Sequence, residues 1–153
     1  MSYPNTDPVQ LRIIDHIVAT LQAAAPPQTA YKFQDVRAWS GNQLENIAAQ
    51  PAALVIPIVE TSGDQRMLLY VHELDVSILI SLRTQDWKRE IVRLATDVRV
   101  ALLADWTRGG IAENTVILST EIFDSTESAP LAGAQINARV RYRTLFTDPS
   151  EAH

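Results

Sequence analysis

Three arginines alternate with small or apolar residues near the end of the chain, in the stretch PLAGAQINARVRYRTLFTD (130–148). Because successive side chains of a strand point to opposite faces, Arg139, Arg141 and Arg143 are predicted to share one face of a strand. A row of guanidinium groups can pair with carboxylates, stabilise a contact between subunits or bind the phosphates of a nucleic acid. The sequence leaves these three roles open.

Carboxylates that could pair with these arginines lie on two other predicted strands. Glu73 and Asp75 are two residues apart, and Glu121 lies on a later strand. Two carboxylates on one strand face can perform acid–base chemistry, but the same spacing is common on solvated or salt-bridged sheet faces. We interpret them as structural.

The chain has three histidines and no cysteine, which leaves few candidates for metal binding or nucleophilic catalysis. His16 falls on the polar side of a predicted helix and is interpreted as solvated. His72 falls on the apolar face of a predicted strand and is interpreted as a covered or interface residue. The chain also lacks a G-x-G-x-x-G stretch, a P-loop and a G-x-S-x-G elbow. We therefore predict no enzyme, and no catalytic, cofactor-binding or metal site.

The composition is that of a globular protein, with 153 residues, 46% hydrophobic and 20% charged. One domain is expected, with flexible ends at 1–6 and 148–153. A net charge of −5 argues against general nucleic-acid binding but allows a local basic strip. No apolar run approaches the ~20 residues of a membrane helix, and no secretory signal opens the chain. We expect a protein of the cytoplasm with no membrane partner.

Hydrophobic periodicity predicts two amphipathic helices and five strands. One helix is expected to follow Asp7 and Pro8 and end before Pro26, and the other to run from Asp86 towards Gly109. Even positions from Leu68 to Leu82 are apolar except for one, which is period-2 patterning. The order α-β-β-β-α-β-β predicts an α+β fold, a mainly antiparallel sheet with both helices on one face.

The start of the long central strand is apolar on both faces. Met67, Leu69 and Val71 are therefore predicted to lie at a subunit or partner interface. The same prediction includes five charged residues: Glu73, Asp75, Arg139, Arg141 and Arg143. The length of the strand suggests that it projects beyond the body of the domain. The preceding stretch PAALVIPIVE (51–60) is predicted to be a strand with an edge or bulge at Pro57, and TSGDQ (61–65) a turn.

Several stretches, in this order along residues 8–147, resemble the tail terminator (tail completion) proteins of tailed bacteriophages. The closing stretch carries most of the resemblance, with Pro130, an Ala-Gly-Ala at 132–134, and a strand containing Val140 and Tyr142-x-Thr144. QPAALVIPIVE (50–60), RVALLAD (99–105) and VILSTEIFD (116–124) are similar to other parts of that family. The stretch GDQRMLLYVHELDVS (63–77) departs from the family pattern, because it is longer and more apolar at its start.

The resemblance implies an α+β fold, a homohexameric ring and no catalysis or cofactor. The ring would cap the tail tube, end tube polymerisation and provide the surface that joins tail to head. Its partners would be other copies of the chain, the tail tube protein, a head-side connector or neck protein and the sheath of a contractile tail, with DNA only as passing cargo. The location implied is the tail–neck region of the virion, with assembly in the host cytoplasm.

Two alternatives to a tail terminator remain at this point. One is another neck component, such as a head–tail connector or a tube-end adaptor. The other is a small ligand-binding α+β domain unrelated to phages, which would need a pocket with convergent polar groups.

Overall fold

The computed structural model describes residues 8–23, 33–38, 51–66, 69–83, 87–124, 131–145 and 148–152. Two helices and six strands occupy most of these ranges. In chain order they are α1 (Val9–Ala23), β1 (Asp35–Ala38), β2 (Ala52–Arg66), β3 (Leu69–Arg83), α2 (Trp87–Ala104), β4 (Asn114–Asp124), β5 (Leu131–Leu145) and β6 (Asp148–Ala152).

The strands form one sheet in the order β1-β2-β3-β5-β4, with β6 paired to β5. All neighbours are antiparallel except β1, which runs parallel to β2. The main core cluster contains residues of both helices and of one face of the sheet, so the helices cover the same face. The predicted fold class is confirmed: an α+β fold with a mostly antiparallel sheet.

Helix α1 lies on the sheet through an apolar stripe at helical spacing. The backbone N–H of Arg12 donates to the carbonyl of Pro8, which places the proline at the start of the helix. The fully buried residues are Val9, Ile13, Ile14, Ile17 and Leu21. Val18 is partly buried against the same core.

Helix α2 ends at Ala104, before the glycines that were predicted to end it. The turn that follows holds Arg108 in a left-handed conformation (φ 50°), and this side chain is fully buried. Its guanidinium donates to the backbone carbonyl of Leu102, in the last turn of α2, and to that of Asp105, just after the helix. Carbonyls of the last turn have no partner within the helix. A buried arginine therefore caps α2. Since side-chain capping depends on the path of the turn, helical periodicity could not show it.

The apolar alternation predicted for β3 is confirmed in the core. Leu74, Val76, Ile78, Ile80 and Leu82 are all buried in the main cluster. β3 is hydrogen-bonded to β2 on one side and, along its whole length, to β5 on the other. It is a central strand, and the three strands β2, β3 and β5 together extend beyond the shorter β1 and β4.

The predicted turn at 61–65 is wrong, because β2 continues to Arg66. Gly63 has φ 154°, a conformation that residues with a Cβ rarely adopt, and it lies at a register shift between Ser62 and Asp64. The glycine therefore serves a β-bulge inside the strand. A second register shift between Pro57 and Val59 confirms the bulge predicted at Pro57.

The chain end at 148–153, expected to be flexible, contains the short strand β6. Its register places Ala152 opposite Thr144 and Asp148 opposite Leu145. β4 pairs with β5 only as far as Arg141, so beyond that point the same edge of β5 has free backbone groups for β6. Ala152 is also packed against the main core.

We predict that Leu94→Ala lowers the free energy of unfolding by about 2–5 kcal/mol, because it leaves a cavity in the core. Leu103→Ala is the matched control, since both leucines lie on α2 but Leu94 is 1% exposed and Leu103 is 44% exposed. Urea denaturation of dilute protein measures both. Equal losses for the two variants would contradict the burial pattern of α2.

Candidate assembly surface

The face of the sheet opposite the helices carries the predicted arginine row and its acidic partners. The register places Asp75 opposite Arg139 and Glu73 opposite Arg141, so all four residues share this face. The row therefore lies next to a row of carboxylates on β3, as cross-strand pairing requires.

Arg139 makes a two-pronged contact with Asp75. Its Nε is 2.8 Å from Oδ1 and its Nη2 is 3.2 Å from Oδ2, and Nε lies 3.4 Å from a carboxylate oxygen of Glu73. The hydrogen bond to Asp75 raises the pKa of the Arg139 guanidinium above its usual value. The pairing holds two central strands together across the open face.

Arg141 and Arg143 share one carboxylate, that of Glu113. The Nε of Arg141 lies 3.4 Å from Glu113 Oε2, and the Nε of Arg143 contacts Oε1. Glu113 comes just before β4, and its backbone N–H donates 2.7 Å to the carbonyl of Arg141. The sequence did not indicate Glu113 as a partner, because it lies outside the predicted strands. The candidate it named on β4, Glu121, is exposed and lies opposite Gln135.

Three guanidinium groups thus face three carboxylates within one chain. The pairs are made by Arg139, Arg141 and Arg143 with Glu73, Asp75 and Glu113. Of the three roles left open by the sequence, cross-strand pairing is the one that the described residues form. A row neutralised in this way offers phosphate groups little net attraction.

The apolar side chains at the start of β3 are less exposed than side chains of an open interface would be. Val71 is buried, Leu69 is half-buried, and the register places them opposite Arg143 and Leu145. Met67 lies outside the described residues. An interface role for these three side chains stays a prediction.

His72 is a covered histidine, one of the two alternatives drawn from the sequence. Its Nδ1 is 2.6 Å from the hydroxyl of Ser62 and its Nε2 is 2.7 Å from that of Thr144. The ring stacks on Tyr142 with centroids 4.6 Å apart, and the Tyr142 hydroxyl donates to Glu60. A neutral imidazole, with one donor and one acceptor, matches two hydroxyls. Burial lowers the pKa of His72, and the charge of Glu60 offsets part of that effect.

His16 is less solvated than the sequence suggested. Its Nε2 lies 3.4 Å from Asp105, and its ring packs against Gly109 in the turn after α2. Partial burial and the nearby Arg108 charge lower the pKa of His16. The contact joins α1 to that turn and is structural.

Exposed large apolar side chains lie on β2, on β4, and on α2 with the turn that follows it. Ile58 and Val59 lie on β2, and the others lie on α2, the turn after it and β4: Val92, Val100, Leu103, Trp106, Val116, Leu118, Ile122 and Phe123. One of these, Phe123, packs against Gly133 so closely that a Cβ there would lie 2.3 Å from its ring. The sequence did not indicate that these side chains are exposed, because exposure depends on which strand lies at the edge of the sheet.

A groove of about 610 Å³ runs between α2 and the edge strand β4. Its lining combines four apolar side chains, Val100, Leu103, Ile117 and Leu118, with four polar ones, Thr96, Arg99, Ser119 and Thr120. Apolar surface beside an unpaired strand edge is the kind of surface that binds another polypeptide. We call the groove together with the outer edge of β4 the β4 surface.

Comparison with known protein-family models finds no match, and comparison with curated protein sequences finds no significant relative. In the part of the chain that the structure describes, no cluster of three or more histidine and acidic side chains could hold a metal ion. None of the described helices is long and apolar enough to cross a membrane.

We predict that Glu113→Gln lowers the free energy of unfolding by up to about 1 kcal/mol, because it removes the charge that Arg141 and Arg143 share. The loss should shrink in about 1 M salt, which screens partly exposed charges. Glu121→Gln is the matched control, since Glu121 is exposed and forms no ion pair among the described residues. If both variants unfold at the same urea concentration, the shared pair contributes nothing.

We also predict that His72 makes the fold less stable in acid. Its folded pKa lies below the unfolded value of about 6.5, so the unfolded chain binds more protons between the two values. The stabilising contribution is present above pH 6.5 and is lost as the pH falls through this window. Between about pH 7.5 and about pH 5, His72→Gln should therefore lose less stability than the natural chain in urea denaturation. A steeper loss in the variant would contradict the assignment.

Proposed function

We propose that the chain is the subunit of a ring that caps the tail tube of a tailed bacteriophage. The ring ends tube polymerisation and provides the joining surface for the head. Six copies, the tube protein and a head-side connector or neck protein are the partners that the sequence resemblance implies. The protein acts by assembly.

The observation that carries the proposal is the β4 surface. Val100, Leu103 and Leu118 are each about half exposed there, beside a strand whose outer backbone edge has no partner among the described strands. Leaving such a surface in water is unfavourable, and natural proteins usually cover or blunt it. A ring subunit covers it with the next copy.

The open face of the sheet supports the same proposal. A channel that lets DNA pass must not hold it tightly, and the arginine row is neutralised by carboxylates of the same chain. Phosphates would gain little by binding there. Arg141 therefore acts mainly within the fold of the subunit, and any contact it makes between ring subunits is secondary.

Another neck component would use the same assembly surface, but its ring would bind different partners in the tail. A tube-end adaptor would add further layers, whereas a terminator stops at one. The alternative of a small ligand-binding domain has less support, because the groove at β4 is open along the sheet edge, whereas ligand pockets enclose most of the ligand.

We predict that the protein, added to polymerising tail tube protein, stops tube growth and leaves one added layer at the tube end. Val100→Glu should abolish this activity while keeping the fold, because it places a charge in the β4 surface. Glutamate also has a higher helix propensity than valine, so α2 itself should not weaken. Tube length and end layers are measured by negative-stain imaging.

Ala19→Glu is the control, since it adds the same charge to an exposed position of α1. That variant should stop tube growth as the natural chain does. Tubes that grow unchanged in the presence of natural protein would contradict the terminator role, and stacked extra layers would favour an adaptor.

A further inference from the structure

We propose that the next copy of the chain binds the β4 surface through the bulged outer edge of its own β2, so that the sheet continues from subunit to subunit. The inference rests on the proposed ring function and assigns the two halves of its contact. The occupant of the β4 surface is thus a second copy, in a head-to-tail arrangement.

Among the described strands, both edges of the sheet are open. β1 pairs only with residues 52–55 of β2, so from Ile56 onward the outer edge of β2 has no partner among the described strands. β4 is the last strand at the other edge. Within the described residues, one chain therefore presents two different free edges, as a head-to-tail contact requires.

The directions of the two edge strands also suit such a contact. β2 is antiparallel to β3, β3 to β5, and β5 to β4, so β2 and β4 run in opposite directions. When two copies stand side by side in the same orientation, β4 of one copy is antiparallel to β2 of the next. This is the pairing that continues the pattern of the rest of the sheet.

Exposed apolar residues on the two edge strands also lie at the same level along the strands. One row of paired residues crosses the whole sheet: Pro57, Val76, Ala138 and Ile117. Each edge strand has a bulge immediately after its residue in this row, at Ile58 on β2 and at Leu118 on β4. Both bulged residues are exposed, at 62% and 46%. Neighbouring copies at the same level therefore bring two exposed apolar side chains to the same height.

The bulge in β4 also separates two halves of that strand. The register across the sheet puts residues 114–117 of β4 level with the free part of β2, whereas residues 120–123 are level with the part that β1 covers. Bulges bend a strand, so β4 can pair with the next copy over its first half and turn away from that copy's β1. The contact is limited to a short, defined length.

Cross-linking between single-cysteine variants tests the arrangement, because the chain has no cysteine of its own. Ile58→Cys and Leu118→Cys are mixed at equal concentration, with and without tail tubes, and treated with a short thiol–thiol cross-linker. We expect a covalent dimer in the mixture, several-fold more abundant than in either variant alone. Mass spectrometry should locate the link between residues 58 and 118. Ala19→Cys mixed with either variant is the control and should give only background.

Three results would overturn the inference. The first is an equal amount of dimer in each variant alone, which indicates a symmetric contact. The second is as much dimer with Ala19→Cys as with the edge pair, and the third is no dimer under conditions where the natural chain assembles.

Ile58→Asp and Leu118→Asp give a second measurement. Each alone should stay monomeric, and their mixture should stop at a dimer joined through the two intact edges, whereas a mixture that stays monomeric would count against the pairing. The tube-growth assay is separate, so a specific 58–118 link in a protein that does not stop tubes would uphold the contact and overturn the tail role.

Discussion

The pairing of β3 with β5 in one register over fifteen residues is the constraint on which the rest of the structure depends. This register places the apolar residues of both strands under the helices and sets Asp75 opposite Arg139 on the other face. A slip by one residue would turn every side chain of one strand to the wrong face. The core would then receive carboxylates or guanidinium groups without partners, at a cost of several kcal/mol each. The ion pairs therefore select the register, even though each pair contributes little to stability.

The same register determines where the edges of the sheet lie. With β3 and β5 in the centre, β2 and β4 flank them, and β1 covers only a short part of β2. Apolar residues that would be internal in a larger sheet then become exposed at the margins. The charged side chains of the open face pair with one another within the subunit. The apolar side chains at the sheet edges stay exposed. We therefore propose that the open face stabilises the subunit and that the sheet edges bind neighbouring copies.

The sequence predicted those elements whose periodicity is uninterrupted. The alternation of β3 and the residues Ile14, Ile17 and Leu21 of α1 correspond to buried residues, since one-dimensional patterns report on which side of an element is covered. Pro57 correctly indicated a bulge, because proline lacks the N–H that a ladder requires. The fold class followed from the order of the elements.

What the sequence could not predict depends on contacts that are distant in the chain. Glu113 was missed as the partner of Arg141 and Arg143, because only strand pairing brings it to them. Gly63 was assigned to a turn, since a bulge and a turn place the same demand on the backbone. The β4 surface was also missed, because Leu118 and Val100 look like core residues until the strand order places them at an edge.

Solution mass is the measurement that tests the central claim, assembly through two unlike edges, most directly. Multi-angle light scattering is recorded over a range of protein concentrations, and sedimentation with isolated tail tubes shows binding under the same conditions. The account predicts a discrete ring, or a monomer that joins tube ends as a single layer. A protein that stays monomeric at every concentration and does not bind to tubes would contradict it.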